Sequence, residues 1–342
     1  MELVNLVFRK FNDERVGKFM KKIYIILVIV LCLSYFTGCS YHKTEDLTTN
    51  NDNVSVITTI FPTYDFVRQI AKDKVDIKML LKPGEESHSY EPTPKDIKSI
   101  QSSDLFIYVG GENDIWIEDI LNSMGEYKPH TLKLLDIVPN LEEEIVPGMQ
   151  HEDDHTHVKN EDHTHHKTID EHVWTSPKNA ILIINQISNI ISQKDPVNAD
   201  FYNKNTQEYV KNLEILDNQF RDVVANSDRK IMLFGDRFPF LYFANEYGLD
   251  YYAAFSGCST ETEASPKTIA FLIDKVNQEN IPVVFTIEFS NGEIADSIVE
   301  STNAKKLLFN SCHNLTKEQL EQGATYLSLM NENVQLLKEA LN

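Results

Sequence analysis

The fold of this chain is decided by the stretch NADFYNKNTQEYVKNLEILDNQFRDVVAN, which occupies residues 198–226. One helix face is indicated by apolar residues that recur at intervals of three, four or seven, namely Tyr202, Tyr209, Leu213, Leu216 and Phe220. A helix of about 28 residues is roughly 42 Å long. The stretch predicts either a long amphipathic helix inside one domain or a rigid connection between two lobes.

Short β-branched segments alternate with helical segments on both sides of this stretch, which is the pattern of parallel sheets with crossover helices. Strands are predicted at Val54–Thr59, Val75–Leu80, Leu105–Val109, Leu132–Leu134, Lys230–Phe234, Asp250–Ala254, Val283–Ile287 and Lys306–Phe309. Helices are predicted at Tyr64–Lys72, Pro94–Ser102, Ile115–Met124, Pro177–Ser192, Phe240–Tyr247, Pro266–Glu279, Gly292–Ser301 and Lys317–Leu341. The predicted fold class is therefore α/β, with two Rossmann-like lobes joined by a long rigid linker helix and a ligand site in the interlobe cleft.

Composition narrows the possible functions. The chain has 342 residues, with 32 Lys and Arg against 52 Asp and Glu, and a formal net charge of −20. This length predicts about two domains, and a 42% hydrophobic content excludes wholesale disorder. The acidic balance argues against nucleic acid and anionic membrane surfaces as partners and suits cationic ones. Eleven histidines, seven of them between His151 and His172, are unusual for a chain of this size.

The N-terminus has the features of a secretory signal. Two lysines at 21–22 precede an apolar run over residues 23–36, which is shorter than the roughly 20 residues of a membrane-spanning helix. The sequence FTGC that ends at Cys39 resembles a bacterial lipobox, which implies that Cys39 carries lipid after cleavage. An uncleaved membrane anchor is the alternative, and Met20 is a more natural start than Met1.

Cleavage before Cys39 removes six basic and three acidic residues and changes the net charge from −20 to −23. Residues 40–53 are polar without apolar periodicity, which predicts a flexible tether and a location on the extracytoplasmic face of a bacterial membrane. The predicted organisation is 1–38 signal peptide, 39–53 lipidated tether, 54–175 N-terminal lobe with a His-rich loop at 149–167, 176–228 linker helices, and 229–342 C-terminal lobe.

Three histidines lie beside predicted elements, where ligands bind in open α/β sheets. His88 lies in KPGEESHSYEPTPKD, His172 in IDEHVWTSPKNA, and His313 in NSCHN. A single histidine of this kind is more often a surface or core residue than a ligand. Because neutral imidazole is the usual ligand of zinc and similar metals, three in such loops indicate a metal site.

These motifs resemble those of the zinc/manganese solute-binding lipoproteins of ABC transporters. GEESHSYEPTPKD resembles their first metal-ligand motif, DEHVWTSPKNA the second, and GATYLSLMNENVQLLKEAL their C-terminal helix. The three motifs occur in the same order as in that family, and the resemblance covers nearly the whole mature chain. It implies one metal in the interlobe cleft, with His88 and His172 as ligands, and a monomeric receptor that serves an ABC permease and its ATPase.

The second lobe departs from this family pattern. Alignment on the YGL at 247–249 places Arg237 where the family has its third ligand, usually His or Glu. A guanidinium stays protonated and cannot ligate a metal. Asp236 is adjacent and is one substitute, and Arg237 is otherwise expected to pair with Glu263 or Glu288.

The fourth ligand of the family falls nearest His313 or Asn314. We expect His313 to be the main contribution of the second lobe to the metal site. The lesser candidates are Cys312, Asp236 and Glu288.

Two cysteines, Cys258 and Cys312, remain after Cys32 leaves with the signal and Cys39 is lipidated. Both follow predicted strands of the second lobe, so a disulfide between them is favoured, and it suits an extracytoplasmic compartment. The alternative is a thiolate ligand, which would favour zinc over manganese.

The loop MQHEDDHTHVKNEDHTHHK at 149–167 is acidic and rich in histidine, a composition that often binds metal without forming a core. In the resembled family such an insertion is typical of zinc-preferring members, which implies that six loop histidines collect metal for the cleft. A solvated linker is the alternative. The neighbouring Glu142, Glu143 and Glu144 are interpreted as a solvated charge run.

The function expected from these observations is capture of extracellular Zn²⁺ and delivery to an ABC permease, with Mn²⁺, nickel and cobalt as open alternatives. No catalysis is expected, because capture needs only a cleft that desolvates the ion and releases it on docking at the permease. One alternative is a secreted zinc hydrolase, with Glu85, Glu86 or Glu171 as the nominated base. Another is a surface metal buffer or adhesin without a permease.

Overall fold

Two parallel sheets of four strands carry the two halves of the chain. The first contains β1 (Val54–Thr58), β2 (Val75–Met79), β3 (Leu105–Tyr108) and β4 (His130–Lys133) in the order β2-β1-β3-β4. The second contains β5 (Ile231–Phe238), β6 (Asp250–Ser256), β7 (Val283–Thr286) and β8 (Lys305–Leu308) in the order β6-β5-β7-β8. All of these strand pairs are parallel, so the predicted α/β class with two lobes is confirmed.

The structure is a computed structural model, and it describes residues 53–86, 90–150, 168–261 and 263–342. The predicted signal, tether and lipidated Cys39 lie outside the described residues, as do His88 and residues 151–167 of the His-rich loop. Within the described ranges, no helix has the length and apolar character needed to cross a membrane.

The α-helices are α1 (Phe61–Ala71), α2 (Pro94–Gln101), α3 (Ile115–Ser123), α4 (Pro177–Lys194), α5 (Ala199–Ala225), α6 (Leu241–Tyr247), α7 (Pro266–Glu279), α8 (Glu293–Glu300), α9 (Lys317–Glu321) and α10 (Tyr326–Leu341). Three of them start with a hydroxyl N-cap followed by proline, at Thr93, Ser176 and Ser265. The hydroxyl accepts a backbone N–H in the first turn and the proline has no N–H to leave unpaired, so both residues fix where the helix begins.

Helix α5 is the long helix expected from the sequence, and its 27 residues span about 40 Å. Its buried face includes all five of the apolar residues that predicted it: Tyr202, Tyr209, Leu213, Leu216 and Phe220. These side chains belong to one hydrophobic cluster that also contains Val56 of the first sheet and Phe234 of the second. The helix therefore joins the two lobes through a shared core.

Strand β5 is longer than predicted, because it continues past Phe234 to Phe238. Its register against β6 shifts between Phe234 and Arg237, which marks a local irregularity. Asp236 stabilises this extension, since its carboxylate accepts the backbone N–H of Arg237 at 2.8 Å and of Ile287 at 3.4 Å. Asp236 and Arg237 thus lie at the end of a strand rather than in a loop.

The C-terminal helix predicted over Lys317–Leu341 is interrupted, and this prediction was wrong. Helix α9 ends at Glu321 and α10 begins at Tyr326. Between them Gly323 has φ +78°, a conformation that glycine adopts without strain, and Thr325 caps α10 through the N–H of Ser328. The apolar periodicity continues across the break, which is why the pattern alone does not reveal it.

Candidate metal centre

The candidate site is a cleft of about 320 Å³ beyond the carboxyl ends of the second sheet. Strands β5, β7 and β8 lead to three of its residues, Arg237, Glu288 and His313. The first lobe contributes Glu86 and His172. In an open sheet of this order the chain turns in opposite directions from β5 and β7, and ligands bind at such a switch point.

His172 is fixed by the acidic residue two positions before it. Its backbone N–H donates to Oδ1 of Asp170 at 2.8 Å, and its ring Nδ1 lies 3.3 Å from the same oxygen. The imidazole is only 2% exposed. A carboxylate on Nδ1 favours the tautomer whose lone pair is on Nε2, the arrangement that metal-binding histidines use.

The charge of this imidazole is governed by opposing effects. Burial lowers the pKa of His172, but the Asp170 carboxylate, with smaller contributions from Glu171 and Glu143, raises it above the ordinary value overall. The same negative surroundings favour a bound cation.

Gly257, at the end of the β6 segment, lets the chain approach this pair closely. A Cβ there would lie 2.9 Å from the carbonyl oxygen of Phe238, 3.1 Å from Oδ2 of Asp170 and 3.2 Å from Cε1 of His172. Such contacts are too short for the pair to stay in place. Glycine is therefore required by the packing around His172.

His313 follows β8 and is held by Glu288, which follows β7. Glu288 accepts the backbone N–H of His313 at 3.0 Å, and the backbone N–H and hydroxyl of Ser311 at 2.8 and 2.6 Å. Burial raises the pKa of Glu288, while these hydrogen bonds act in the opposite direction. Phe289 and Cys312, each next to one of these residues, have φ near +60°, so the loop is held in a strained backbone conformation.

Three rings meet in the cleft. The centroids of His172 and His313 are 5.8 Å apart and nearly perpendicular, and Trp174 lies 5.4 Å from the first ring and 5.0 Å from the second. The indole N–H of Trp174 donates to the carbonyl oxygen of Ser311 at 2.8 Å. Two of the three predicted ligands are therefore brought together, with an indole as a wall.

The loop that carries His313 also contacts the first lobe. The carbonyl oxygen of His313 accepts the N–H of Phe61 at 3.3 Å. The side-chain amide of Asn314 donates to the carbonyl oxygens of Lys82 and Glu85 at 2.7 and 2.8 Å. The loop over residues 82–86 leads into the segment that contains His88, so Asn314 connects the loop of His313 with the loop that precedes His88.

Arg237 forms an ion pair in the cleft, but with neither of the residues expected from the sequence. Its Nη2 lies 3.3 Å from Oε2 of Glu86. Glu263 and Glu288 were the expected partners. The bond to Glu86 connects the second lobe with the first lobe.

The lesser ligand candidates are engaged elsewhere. Asp236 bonds the backbone of β5 and β7, as described above. The disulfide favoured between Cys258 and Cys312 is not formed, since both thiols are free. The preceding strands, β6 and β8, are at opposite edges of the sheet, about 14 Å apart at three strand spacings, whereas a disulfide needs Cα atoms within about 7 Å.

The thiols are also poor candidates for thiolate ligands. Burial raises the pKa of both Cys258 and Cys312 well above the ordinary value, and nearby carboxylates add to the effect. Within the described ranges, no group of three His, Cys, Asp or Glu side chains has the arrangement needed to hold a metal ion. His88, the third predicted ligand, is outside those ranges, and Glu86, two positions earlier, lines the cleft.

A second buried carboxylate lies near the cleft in the first lobe. Asp114 accepts the N–H groups of Val109 and Gly110 at 3.0 and 2.8 Å. Burial raises the pKa of Asp114 to about 7, with Glu171 adding to the shift and the Gly110 hydrogen bond opposing it. Glu171 is itself bonded to Asn113, through the backbone N–H and the side chain, at 3.0 and 2.9 Å.

Both ends of the His-rich loop are anchored. At its start, Gln150 bonds the backbone of Ala254 and Ser265 in the second lobe, at 3.0 and 2.6 Å. At its end, Thr168 accepts the N–H of Glu143 at 2.8 Å. Glu143 also accepts the N–H of Cys258 at 2.8 Å, so it is a structural contact rather than part of a solvated run.

Comparison with known proteins shows the family of this chain. The family model described as zinc-uptake complex component A, periplasmic, matches residues 56–340. The high-affinity zinc uptake system protein ZnuA of Bacillus subtilis (strain 168) is 32% identical over 320 residues, which cover 92% of this chain and 97% of that protein. The zinc-binding lipoprotein AdcA of Streptococcus pneumoniae is 29% identical over 94% of this chain, which spans 61% of that longer protein.

A solved structure shows the same likeness to zinc-uptake proteins. The crystal structure of the Zn(II)-bound ZnuA-like domain of S. pneumoniae AdcA superposes with a TM-score of 0.69 at 27% identity, covering 84% of this chain and 99% of that chain. The resemblance to the zinc-type solute-binding proteins is thus confirmed over nearly the whole folded body. The chain belongs to the family of the zinc-uptake complex component A, a family of solute-binding receptors rather than enzymes.

Proposed function

We propose that this chain captures Zn²⁺ at the extracytoplasmic face of a cell membrane and delivers it to an ABC permease and its ATPase. The observation that carries the proposal is the pair of imidazoles, His172 and His313, 5.8 Å apart between centroids in one cleft. Two imidazoles on one tetrahedral zinc, with Zn–N bonds of about 2.0–2.1 Å, have centroids about 5 Å apart. The observed separation of the two rings is therefore close to the separation that a shared zinc requires.

The proposed ligands are His172 and His313, together with His88 from the loop after β2. The hydrogen bonds of Asp170 and Glu288 hold the first ring and the second loop in place. Three imidazoles favour zinc over manganese, which prefers carboxylate oxygen. Membership of a zinc-uptake family supports the same cargo.

Anchoring and metal collection complete the proposal. Lipidation at Cys39 and the tether would keep the receptor beside its permease. The six histidines of the loop, His151, His155, His157, His163, His165 and His166, are proposed as weak collectors of zinc. The anchored end at Thr168 is four residues from His172, so zinc collected by the loop would be released close to the cleft.

Isothermal titration calorimetry of the full chain with zinc tests the proposal. We expect one tight site plus weaker sites, and loss of the tight site in His172→Ala, His313→Ala and the double variant of His88 and His172. His130→Ala is the matched control. His130 is exposed and starts β4, so it lies at the amino ends of the strands, whereas the cleft lies beyond carboxyl ends. A tight site that persists in the double variant would refute the ligand assignment.

Two further measurements separate the alternatives. Hydrolysis of test esters or peptides by the zinc-loaded protein would favour an enzyme. Gene deletion tests the transport role, since loss of the receptor should impair growth only when zinc is limiting. Normal growth under zinc limitation would favour a surface buffer or adhesin without a permease.

A further inference from the structure

A second cavity, of about 450 Å³, lies beyond the carboxyl ends of the strands of the first sheet. That volume is in the range of small-molecule sites, roughly 300–1,000 Å³. It is lined by Thr59 after β1, Leu81 after β2 and Val109 after β3. The chain turns in opposite directions from β1 and β3, which is where an open sheet of this kind binds a ligand. Among the described residues, His313 is the one that this cavity shares with the metal cleft.

Three aromatic rings line this cavity. Two of them are the indoles of Trp116 and Trp174, the only tryptophans of the sequence. The third is the ring of Tyr90, whose centroid lies 5.8 Å from that of Trp116. Aromatic rings bury apolar groups, and their faces attract cations. These walls therefore suit a ligand that has an apolar body and a positive charge.

Two buried carboxylates give the same cavity a negative charge. Asp114 is 9% exposed and Glu171 is 6% exposed. The described lining of the cavity contains no lysine or arginine. Lys133 acts on Asp114 from outside the cavity, and its Nζ lies 3.3 Å from Oε1 of Glu118. Because a buried charge is costly unless it is paired, the cavity favours a cationic ligand.

Two polar atoms of this cavity have no hydrogen-bond partner among the residues that the structure describes. Oδ2 of Asp114 accepts the N–H groups of Val109 and Gly110, whereas Oδ1 accepts no hydrogen bond within those ranges. The hydroxyl of Thr59, a residue that is 7% exposed, likewise has no partner there. A buried polar group without a partner costs free energy, and N–H groups of a ligand would remove that cost.

We propose that this cavity binds a small primary amine in its protonated form, with an apolar or aromatic body. The ammonium group has three N–H donors, which suit Oδ1 of Asp114 and the hydroxyl of Thr59. The apolar body lies against Trp116 and Trp174. An anionic ligand does not fit, because Asp114 and Glu171 would repel it. This site is additional to the proposed metal site and goes beyond the zinc-receptor function.

Titration of the zinc-free full chain with phenethylamine, which is protonated at neutral pH, tests this inference. We expect tryptophan emission to change and to saturate with one amine bound per chain, since both indoles line the cavity. Neutral phenethyl alcohol and anionic phenylacetate should bind at least about tenfold more weakly, because they lack the charge that pairs with Asp114. Equal binding of either analogue, or no saturable binding of the amine, would overturn the proposal.

Two variants test the position of the amine. Asp114→Asn should weaken amine binding by about tenfold or more, Thr59→Val should also weaken it, and both should bind zinc like the wild type. Thr59→Val removes an unpaired hydroxyl and keeps the shape of the side chain, so it should fold. Thr58→Val is its matched control, because Thr58 is also buried with an unpaired hydroxyl in the described ranges but does not line the cavity. Equal amine affinity in the two valine variants would contradict the role of Thr59.

Competition with zinc separates the two sites. If zinc displaces the amine and Asp114→Asn does not weaken amine binding, the amine occupies the metal cleft and the inference is wrong. Zinc titration without the amine tests the zinc receptor by itself, so each proposal can fail while the other stands.

Discussion

The backbone N–H of His313 donates to Oε1 of Glu288 at 3.0 Å, and the hydroxyl of Ser311 donates to the same oxygen at 2.6 Å. One half-buried carboxylate therefore sets the conformation of the loop that presents the second imidazole. Glu288 acts by position, since its oxygens are engaged by the loop. This is the kind of support on which the affinity of a metal site depends.

Replacing this carboxylate should weaken zinc binding without unfolding the protein. In Glu288→Gln the amide NH₂ faces N–H donors, so the Ser311–His313 loop loses a hydrogen bond and its negative anchor. We expect zinc affinity to fall by about 10–100-fold, the usual range for residues that support metal ligands. Titration calorimetry measures the loss, and Glu279→Gln, at an exposed position near the end of α7, is the matched control. Equal affinity in the two variants would contradict the role of Glu288.

Gly257→Ala, which adds a methyl group on the other side of the cleft, should also weaken zinc binding. The new Cβ would press on Phe238, Asp170 and His172 at 2.9–3.2 Å, so the imidazole must move. We expect at least a tenfold loss of zinc affinity and a stability loss of about 1–3 kcal/mol from overpacking. Gly248→Ala serves as the control: it meets no neighbour but has φ +64°, so it should destabilise the protein while leaving zinc affinity unchanged. Equal zinc affinity in Gly257→Ala and Gly248→Ala would show that the site does not require glycine at position 257.

Trp174 should report zinc binding directly. Its ring contacts both imidazoles, and the only other tryptophan in the sequence is Trp116. In Trp116→Phe we expect an emission change that saturates at one equivalent of zinc. Further zinc taken up by the His-rich loop should leave the signal unchanged. Tight binding by calorimetry without any change in emission would place the metal away from these rings.

The buried Asp114 should make stability depend on pH. Its pKa is about 7 in the folded protein against 3.8 for the ordinary group, so between these values the folded state binds more protons than the unfolded state. The contribution of Asp114 to folding stability should therefore be fully present below about pH 4 and should be lost as pH rises through 7. The loss is at most about 4 kcal/mol.

Denaturant unfolding of the metal-free protein from pH 5 to 9 measures this effect. Asp114→Asn cannot ionise and should be more stable than the wild type at pH 9, with a flatter profile. Asp119→Asn, at an exposed position in α3, the helix that Asp114 precedes, should follow the wild-type profile. Parallel profiles for Asp114→Asn and the wild type would show that Asp114 is not the responsible group.

The sequence predicts the elements of this fold better than their arrangement. Apolar periodicity and β-branched runs place the strands and the long α5, because burial imposes those patterns locally. Strand order is a non-local property, and it is what separates Cys258 from Cys312. The break at Gly323 is also hidden, because the apolar pattern resumes in register beyond it.

The sequence likewise predicts some features of the candidate site and misses others. The motifs place His172 and His313 in loops that the structure brings together, and the alignment identifies Arg237 as a departure. The pairing of Arg237 with Glu86 depends on how two distant loops meet, and no local pattern encodes it. The roles of Glu288, Gly257 and Asn314 are likewise missed, although each lies within a few positions of a quoted motif or predicted strand.

The shared core has a consequence for how the cargo leaves. Val56 of the first sheet, Leu213 of the linker helix and Phe234 of the second sheet belong to one continuous apolar cluster. Swinging the halves apart would expose that cluster to water at about 25 cal/mol for each Å². We therefore expect zinc to enter and leave through movements of surface segments, while the two lobes keep their relative position. The zinc-loaded and zinc-free proteins should have the same radius of gyration in solution scattering. A permease would then have to distinguish them by their local surface rather than by their overall shape.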